Sequence, residues 1–187
     1  MKRFTKYLLV MLLPLTVLLV RPLTPAAVLL FGQEIRLPTV PIDPRDLFRG
    51  DYVILRFAIE QFDKSLLSDE DYLGLSLLDD KLTNAEATFG APPVYLYVTL
   101  EPDETGIWQR AKMSLTPPNA GVFLRANASR ARFSDTITLD YGDYLRRYYV
   151  KENTGLELEN AARRGNLVGV AKVWRGRPVL TSLEIPK

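Results

Sequence analysis

The sequence predicts a mainly β domain, a sandwich or barrel of about eight strands with one short helix, carried behind a single N-terminal transmembrane helix. Three observations carry this. Period-two alternation of apolar and polar residues recurs along residues 33–185. Gly, Pro, Asn and Asp break that alternation at short intervals, as strand-rich folds require. One early stretch, Tyr7 to Val20, is continuously uncharged and apolar.

The N-terminal stretch follows Lys2, Arg3 and Lys6 and ends at Arg21. Its residues, YLLVMLLPLTVLLV, span roughly 21 Å as a helix, and Phe4, Thr5 and a snorkelling Lys6 bring it close to a ~30 Å hydrocarbon core. An uncleaved anchor with its positive end inside, a cleaved signal peptide and a buried core helix all fit such a run. The anchor is the reading adopted, because Thr24-Pro25-Ala26 makes a poor cleavage site. It makes residues 1–32 an anchor and linker at the inner (plasma) membrane, and residues 33–187 an extracytoplasmic β-rich domain.

Gln33 to Val40 reads as a strand with Ile35 and Leu37 on one face, restricted to a sheet edge by Pro38 and Pro41. A turn follows, Pro41 to Asp46, and then Gly50-Asp51-Tyr52 opens the most regular strand. There Val53, Leu55, Phe57 and Ile59 share one face, and Tyr52, Arg56 and Glu60 the other. Residues 61–93 are less regular, with acids at Asp63, Asp69, Glu70, Asp71, Asp79, Asp80 and Glu86; they read as an acidic surface helix or loop. Val94–Glu101 and Ile107–Thr116 form a hairpin closed by Pro102-Asp103-Glu104-Thr105-Gly106. Val94, Leu96, Val98 and Leu100 with Ile107, Ala111, Met113 and Leu115 make its apolar face; Tyr95, Tyr97, Trp108, Arg110 and Lys112 project from the other. Gly121–Phe133 supplies one or two strands, and Thr136–Tyr141 leads to a second triplet, Gly142-Asp143-Tyr144. Thr154-Gly155-Leu156-Glu157 is a capping box for a helix that turns Leu158, Ala161 and Ala162 inward and stops at Gly165. Leu167–Trp174 and Val179–Ile185, joined by Arg175-Gly176-Arg177-Pro178, form a second hairpin. The two triplets diverge beyond their three residues, so they read as shared turn chemistry rather than as duplication.

Composition removes several function classes. The chain of 187 residues has neither Cys nor His. Thiol and Ser-His-Asp nucleophiles are therefore excluded, and a structural zinc site lacks its preferred ligands. A formal charge of +2 implies no field for nucleic acid. No cofactor is expected. Lys64 and Ser65 are chain neighbours and cannot converge as a catalytic dyad.

Two constellations invite a functional reading. Asp43, Asp46 and Asp51 share one turn with Arg45 and Arg49. The turn reads as a loop held by Arg–carboxylate and Asp–backbone bonds; the alternative is a carboxylate cluster for Ca²⁺ or acid–base work. Tyr95, Tyr97, Trp108, Arg110 and Lys112 make either a platform for glycan, peptide or headgroup, or a face packed against a second sheet.

Arg49, Gly50, Asp51, Tyr52 and Leu55, with Phe57 where the pattern has Tyr, resemble the motif of the GDYXXLXY family of bacterial membrane-anchored proteins. The lead-in Pro41-Ile42-Asp43-Pro44-Arg45-Asp46-Leu47-Phe48-Arg49 and the segment from Tyr148 to Glu159 are similar to that family too. The resemblance spans most of the chain and is thinnest between Asp63 and Glu86. It implies an anchored envelope protein of no established activity, encoded beside multi-pass membrane proteins. The expectation is a non-enzymatic binding component, touching the bilayer through its N-terminal helix and an integral membrane protein through its domain; the alternative is a hydrolase or ligand-binding domain using Asp43, Asp46 and Asp51.

Overall fold

The computed structural model describes residues 2–40, 52–63, 95–127, 132–133, 136–149, 158, 161–162 and 164–186. Its helical entry comes in two pieces. Helix α1, Lys2–Val20, contains Pro14, whose missing N–H an apolar helix tolerates. A break at Arg21-Pro22 separates it from α2, Leu23–Phe31, where Pro22 stands as N-cap. Every α1 residue from Val10 onward is exposed. The stretch Val10–Phe31 is long and apolar enough to cross a membrane.

Eleven strands are described, and every pairing among them is antiparallel. One sheet joins β1 (Gln33–Pro38), β10 (Val168–Trp174) and β11 (Arg177–Glu184) in the order β1-β10-β11. A second joins β4 (Tyr95–Pro102), β5 (Trp108–Ser114) and β6 (Val122–Asn127) in the order β5-β4-β6. Two smaller pairings complete the body: β2 (Tyr52–Ile54) with β9 (Arg147–Tyr149), and β3 (Gln61–Asp63) with β8 (Thr136–Thr138), which also pairs β7 (Arg132–Phe133). This is the predicted mainly β fold behind one N-terminal apolar helix. β1 is a sheet edge, as Pro38 requires.

Alternation supplies the core. Ile35 and Leu37 from β1, Ala171 and Val173 from β10, and Leu96, Val98, Met113, Leu124 and Ala126 from the other sheet belong to one buried cluster. The edge of β6 is covered: Arg125 N–H donates to Gly176 O at 2.8 Å and Asn127 N–H to Asp140 O at 3.2 Å, which satisfies edge groups that would otherwise invite another strand. The β10–β11 connection is two residues long, with Arg175 at φ 50° and Gly176 at φ 76°. Positive φ at both centres is the tight hairpin geometry that matches strand twist, so β11 begins at Arg177, inside the four-residue turn expected from sequence. Leu158, Ala161 and Ala162 are helical and belong to or pack on the core. Gly165 at φ 67° ends this turn of chain: its N–H donates to Ala162 O and that of Asn166 to Ala161 O, the paired bonds of a Schellman stop.

Two expectations need correction. The strand launched by the first triplet does not run through Glu60. It stops at Ile54, Phe57 makes an isolated bridge to Thr39, and Ala58–Glu60 forms one 3₁₀ turn. Leu55, Phe57 and Ile59 are buried as expected, and Glu60 is buried with them, 6% exposed. The first hairpin also departs from simple alternation. Its register shifts between Thr99 and Leu100, which pair with Lys112 and Arg110; Ala111 is the extra residue of a bulge and is exposed. A bulge inverts the faces beyond it. Trp108 and Arg110 therefore stand opposite Pro102 and Leu100, and Trp108 packs on the core.

Candidate functional site

The two Gly-Asp-Tyr segments meet in space. Tyr52 pairs with Tyr149, Val53 with Tyr148 and Ile54 with Arg147, and Leu55 N–H donates to Arg146 O at 2.8 Å. Their tyrosines adopt different backbones, Tyr52 extended and Tyr144 helical. Tyr52 lies in a strand, whereas Gly142, at φ 91°, precedes a short helix, α3 (Asp143–Arg146). Only glycine takes that φ without strain, and Asp140 Oδ1 fixes it by accepting Gly142 N–H at 2.8 Å.

Behind this junction sits a buried polar cluster. Phe57 N–H donates to Glu60 Oε1 at 3.3 Å and Glu60 N–H to Phe57 O at 2.9 Å. Burial holds the Glu60 carboxyl up at about 6, against the pull of Arg146 and the Phe57 bond. Tyr141 is buried and donates its hydroxyl to Ile59 O at 2.9 Å. Burial and the Glu60 carboxylate both push the Tyr141 phenol up, so it remains a donor. Arg146 Nε is buried without a hydrogen-bond partner.

In front of the junction lies a cleft of about 400 Å³. Arg21 and α2 form one wall. Tyr95 of β4 and Arg125 and Asn127 of β6 form the floor, and Asp140, Tyr141 and Tyr144 with Arg177 and Val179 close the other sides. The floor exists because β6 alternates: Leu124 and Ala126 face the core, which leaves Phe123 and Arg125 on the outer face. There the Arg125 guanidinium lies 4.2 Å from the Tyr95 ring centre, and Tyr97 meets Phe123 edge-on at 5.9 Å. Gly176 lets the β10–β11 turn approach; a Cβ there would lie 2.7 Å from the Phe123 ring.

The structure divides the predicted aromatic platform. Tyr95 and Tyr97 stay on the outer face, joined by Arg125, and Lys112 is exposed opposite Thr99. Trp108 and Arg110 leave that face through the bulge. Leu55 and Phe57 are core residues, and Tyr52 is placed by its pairing in β2. Asp43, Arg45, Asp46, Arg49, Gly50 and Asp51 lie outside the described residues. Glu60, Arg125, Tyr141 and Arg177 were not singled out from sequence. Glu60 had a signal, since a Glu three residues after Phe57 suits a helical first turn; Arg125 had its alternation with Phe123. Among the described residues no group of three or more acids is gathered for a metal.

A strand-rich domain entered through an apolar helix, with an arginine-lined cleft where helix meets sheet, is the class these features define. The chain belongs to the GDYXXLXY protein family, whose model covers residues 14–183. No curated protein and no solved structure matches it significantly.

Proposed function

We propose that the chain is a single-pass envelope protein that works by binding. Its N-terminus lies on the cytoplasmic side of the plasma membrane, its strand-rich domain outside, and its partner is an integral membrane protein. The observation that supports this reading is an apolar surface that runs on from helix to domain. From Phe4 to Val20, α1 measures ~26 Å, close to a hydrocarbon core with Lys6 snorkelling. Beyond the break, α2 buries Val28 against the domain and exposes Leu23, Leu29, Leu30 and Phe31. Lys172 Nζ donates to Leu29 O at 2.7 Å, and the Phe31 and Trp174 rings stand 6.2 Å apart. The helix is thereby fixed along the domain, with aromatic and cationic residues suited to an interface beside it. Lys2, Arg3 and Lys6 favour an inside N-terminus.

Alkaline carbonate extraction and protease accessibility test the placement: the chain should stay in the membrane pellet, with the domain digested only from the outer side. A photo-crosslinker at Leu30 should then capture a multi-pass protein. A carbonate-soluble chain, or a domain protected until the inner side is opened, would end this reading.

A further inference from the structure

We propose that the cleft between α2 and the β10–β11 turn binds one anionic phosphate ester, the headgroup of a phospholipid in the leaflet beside the anchor. The proposal rests on the anchored reading above. Three arginines, Arg21, Arg125 and Arg177, line the cleft beside one acid, Asp140, whose carboxylate already accepts Gly142 N–H. None of the three arginines is in an ion pair with a described carboxylate. Guanidinium forks match phosphate oxygens, and several of them converging on one space favour a compact dianion or diester over a planar carboxylate. Stacking at 4.2 Å over Tyr95 orders Arg125 through the ring face and leaves its N–H donors free, so less is lost on binding.

Position selects the source of the phosphate. With α1 as the spanning helix, Arg21, the first residue after it, stands at the level where the chain leaves the hydrocarbon and meets the headgroups. Leu23, next to that level, is exposed and offers apolar surface to an acyl chain. Arg175, stacked at 4.7 Å on Trp174, and Lys172 flank the same side and add positive potential toward an anionic leaflet. A lipid stays at high local concentration there, whereas a soluble ester must be drawn from bulk.

The test uses the full-length chain in zwitterionic detergent. It is offered phosphatidylglycerol and phosphatidylcholine in equal amounts, and retained lipid is counted by native mass spectrometry. Both lipids carry a phosphate, but the choline cation is repelled by the arginines. The wild type should retain one phosphatidylglycerol, about tenfold over phosphatidylcholine, and Arg125→Gln/Arg177→Gln should lose that preference while Lys112→Gln, outside the cleft, keeps it. Should the double variant fail to fold, Arg177→Gln alone, at the exposed start of β11, reads the same loss. Displacement of the lipid by glycerol 1-phosphate would support the phosphate site and move its source to a soluble ester. Equal retention of both lipids, or a preference that survives the variants, overturns the proposal. Carbonate extraction reads the anchor separately: a chain released by carbonate defeats the anchored reading, and its binding of glycerol 1-phosphate still decides the phosphate site.

Discussion

The ring of Phe57 lies against Gly169, so close that a Cβ on the glycine would sit 2.6 Å from Cε1 and 2.9 Å from Cζ. This contact ties the end of the Gly-Asp-Tyr segment to the centre of the β1-β10-β11 sheet. Phe57 is fully buried, and its bridge to Thr39 fixes the ring's approach. Phe57→Ala should cost about 3–5 kcal/mol by leaving a cavity, and Gly169→Ala about 1–3 kcal/mol by overpacking. Gly169→Ala combined with Phe57→Leu should cost less than the two single changes added together, since they relieve one another. Urea unfolding of wild type, Phe57→Leu, Gly169→Ala and the double variant checks this; strict additivity would show that the ring and the glycine do not press on each other.

Glu60 makes stability depend on pH. Burial raises its carboxyl from an ordinary 4.5 to about 6, so the folded chain holds a proton that the unfolded chain releases. Stability is then greatest below about 4.5 and falls as pH rises through about 6, by a total of about 2 kcal/mol for this group. Glu60→Gln should flatten that fall, because the neutral amide has no proton to lose. Urea midpoints measured across this range should slope downward for wild type and level out for the variant; parallel curves would assign the slope elsewhere.

Gly176 and Gly106 separate conformational strain from steric exclusion. Both have positive φ, 76° and 78°. Nothing lies within 4 Å of a Cβ built on Gly106, whereas at Gly176 it would meet the Phe123 ring at 2.7 Å and Arg125 Cβ at 3.1 Å. Gly106→Ala should therefore cost about 1 kcal/mol, from backbone alone. Gly176→Ala should cost about 1–3 kcal/mol more and should also disturb Arg125, visible as altered amide shifts at Tyr95 and Asn127. Equal melting points for the two variants would contradict the close approach.

How far these features were legible depends on their range. Period-two patterning revealed Ile35, Leu37, Leu96 and Val98 as core because alternation is a local property. It gave the wrong face for Trp108 and Arg110 because the bulge at Ala111 is set by pairing with β4, and one extra residue reverses every side chain beyond it. It placed Glu60 outside because the strand yields to a 3₁₀ turn where Phe57 meets Gly169, more than a hundred positions away in the chain. The cleft was invisible for the same reason: Arg21, Arg125 and Arg177 come together only when α2 is laid on β10 and the β10–β11 turn caps the edge of β6. The apolar N-terminal helix needed no partner to be seen, since length and hydropathy are properties of one segment.

The loop of the first hairpin is organised by Asp103. Its Oδ1 accepts Thr105 Oγ1–H at 2.6 Å, Thr105 N–H at 2.8 Å and Ile107 N–H at 3.0 Å, and its Oδ2 accepts Gln109 Nε2–H at 2.8 Å. A carboxylate that accepts this many donors is favoured in its charged form. The Thr105 hydroxyl first, and then Gln109, hold the Asp103 carboxyl down at about 2. A depressed value contributes stability above the ordinary 3.8, and that contribution is lost as pH falls toward about 2. Protection of the Thr105 and Ile107 amides, taken relative to their intrinsic exchange rates, should fall on acidification through this range in the wild type. Asp103→Ala should show fast exchange at both amides at every pH, and Asp103→Asn should slow it partly while removing the acid dependence. Protection at Ile107 that persists in Asp103→Ala would mean that Gly106 and the strand register close the hairpin without the carboxylate.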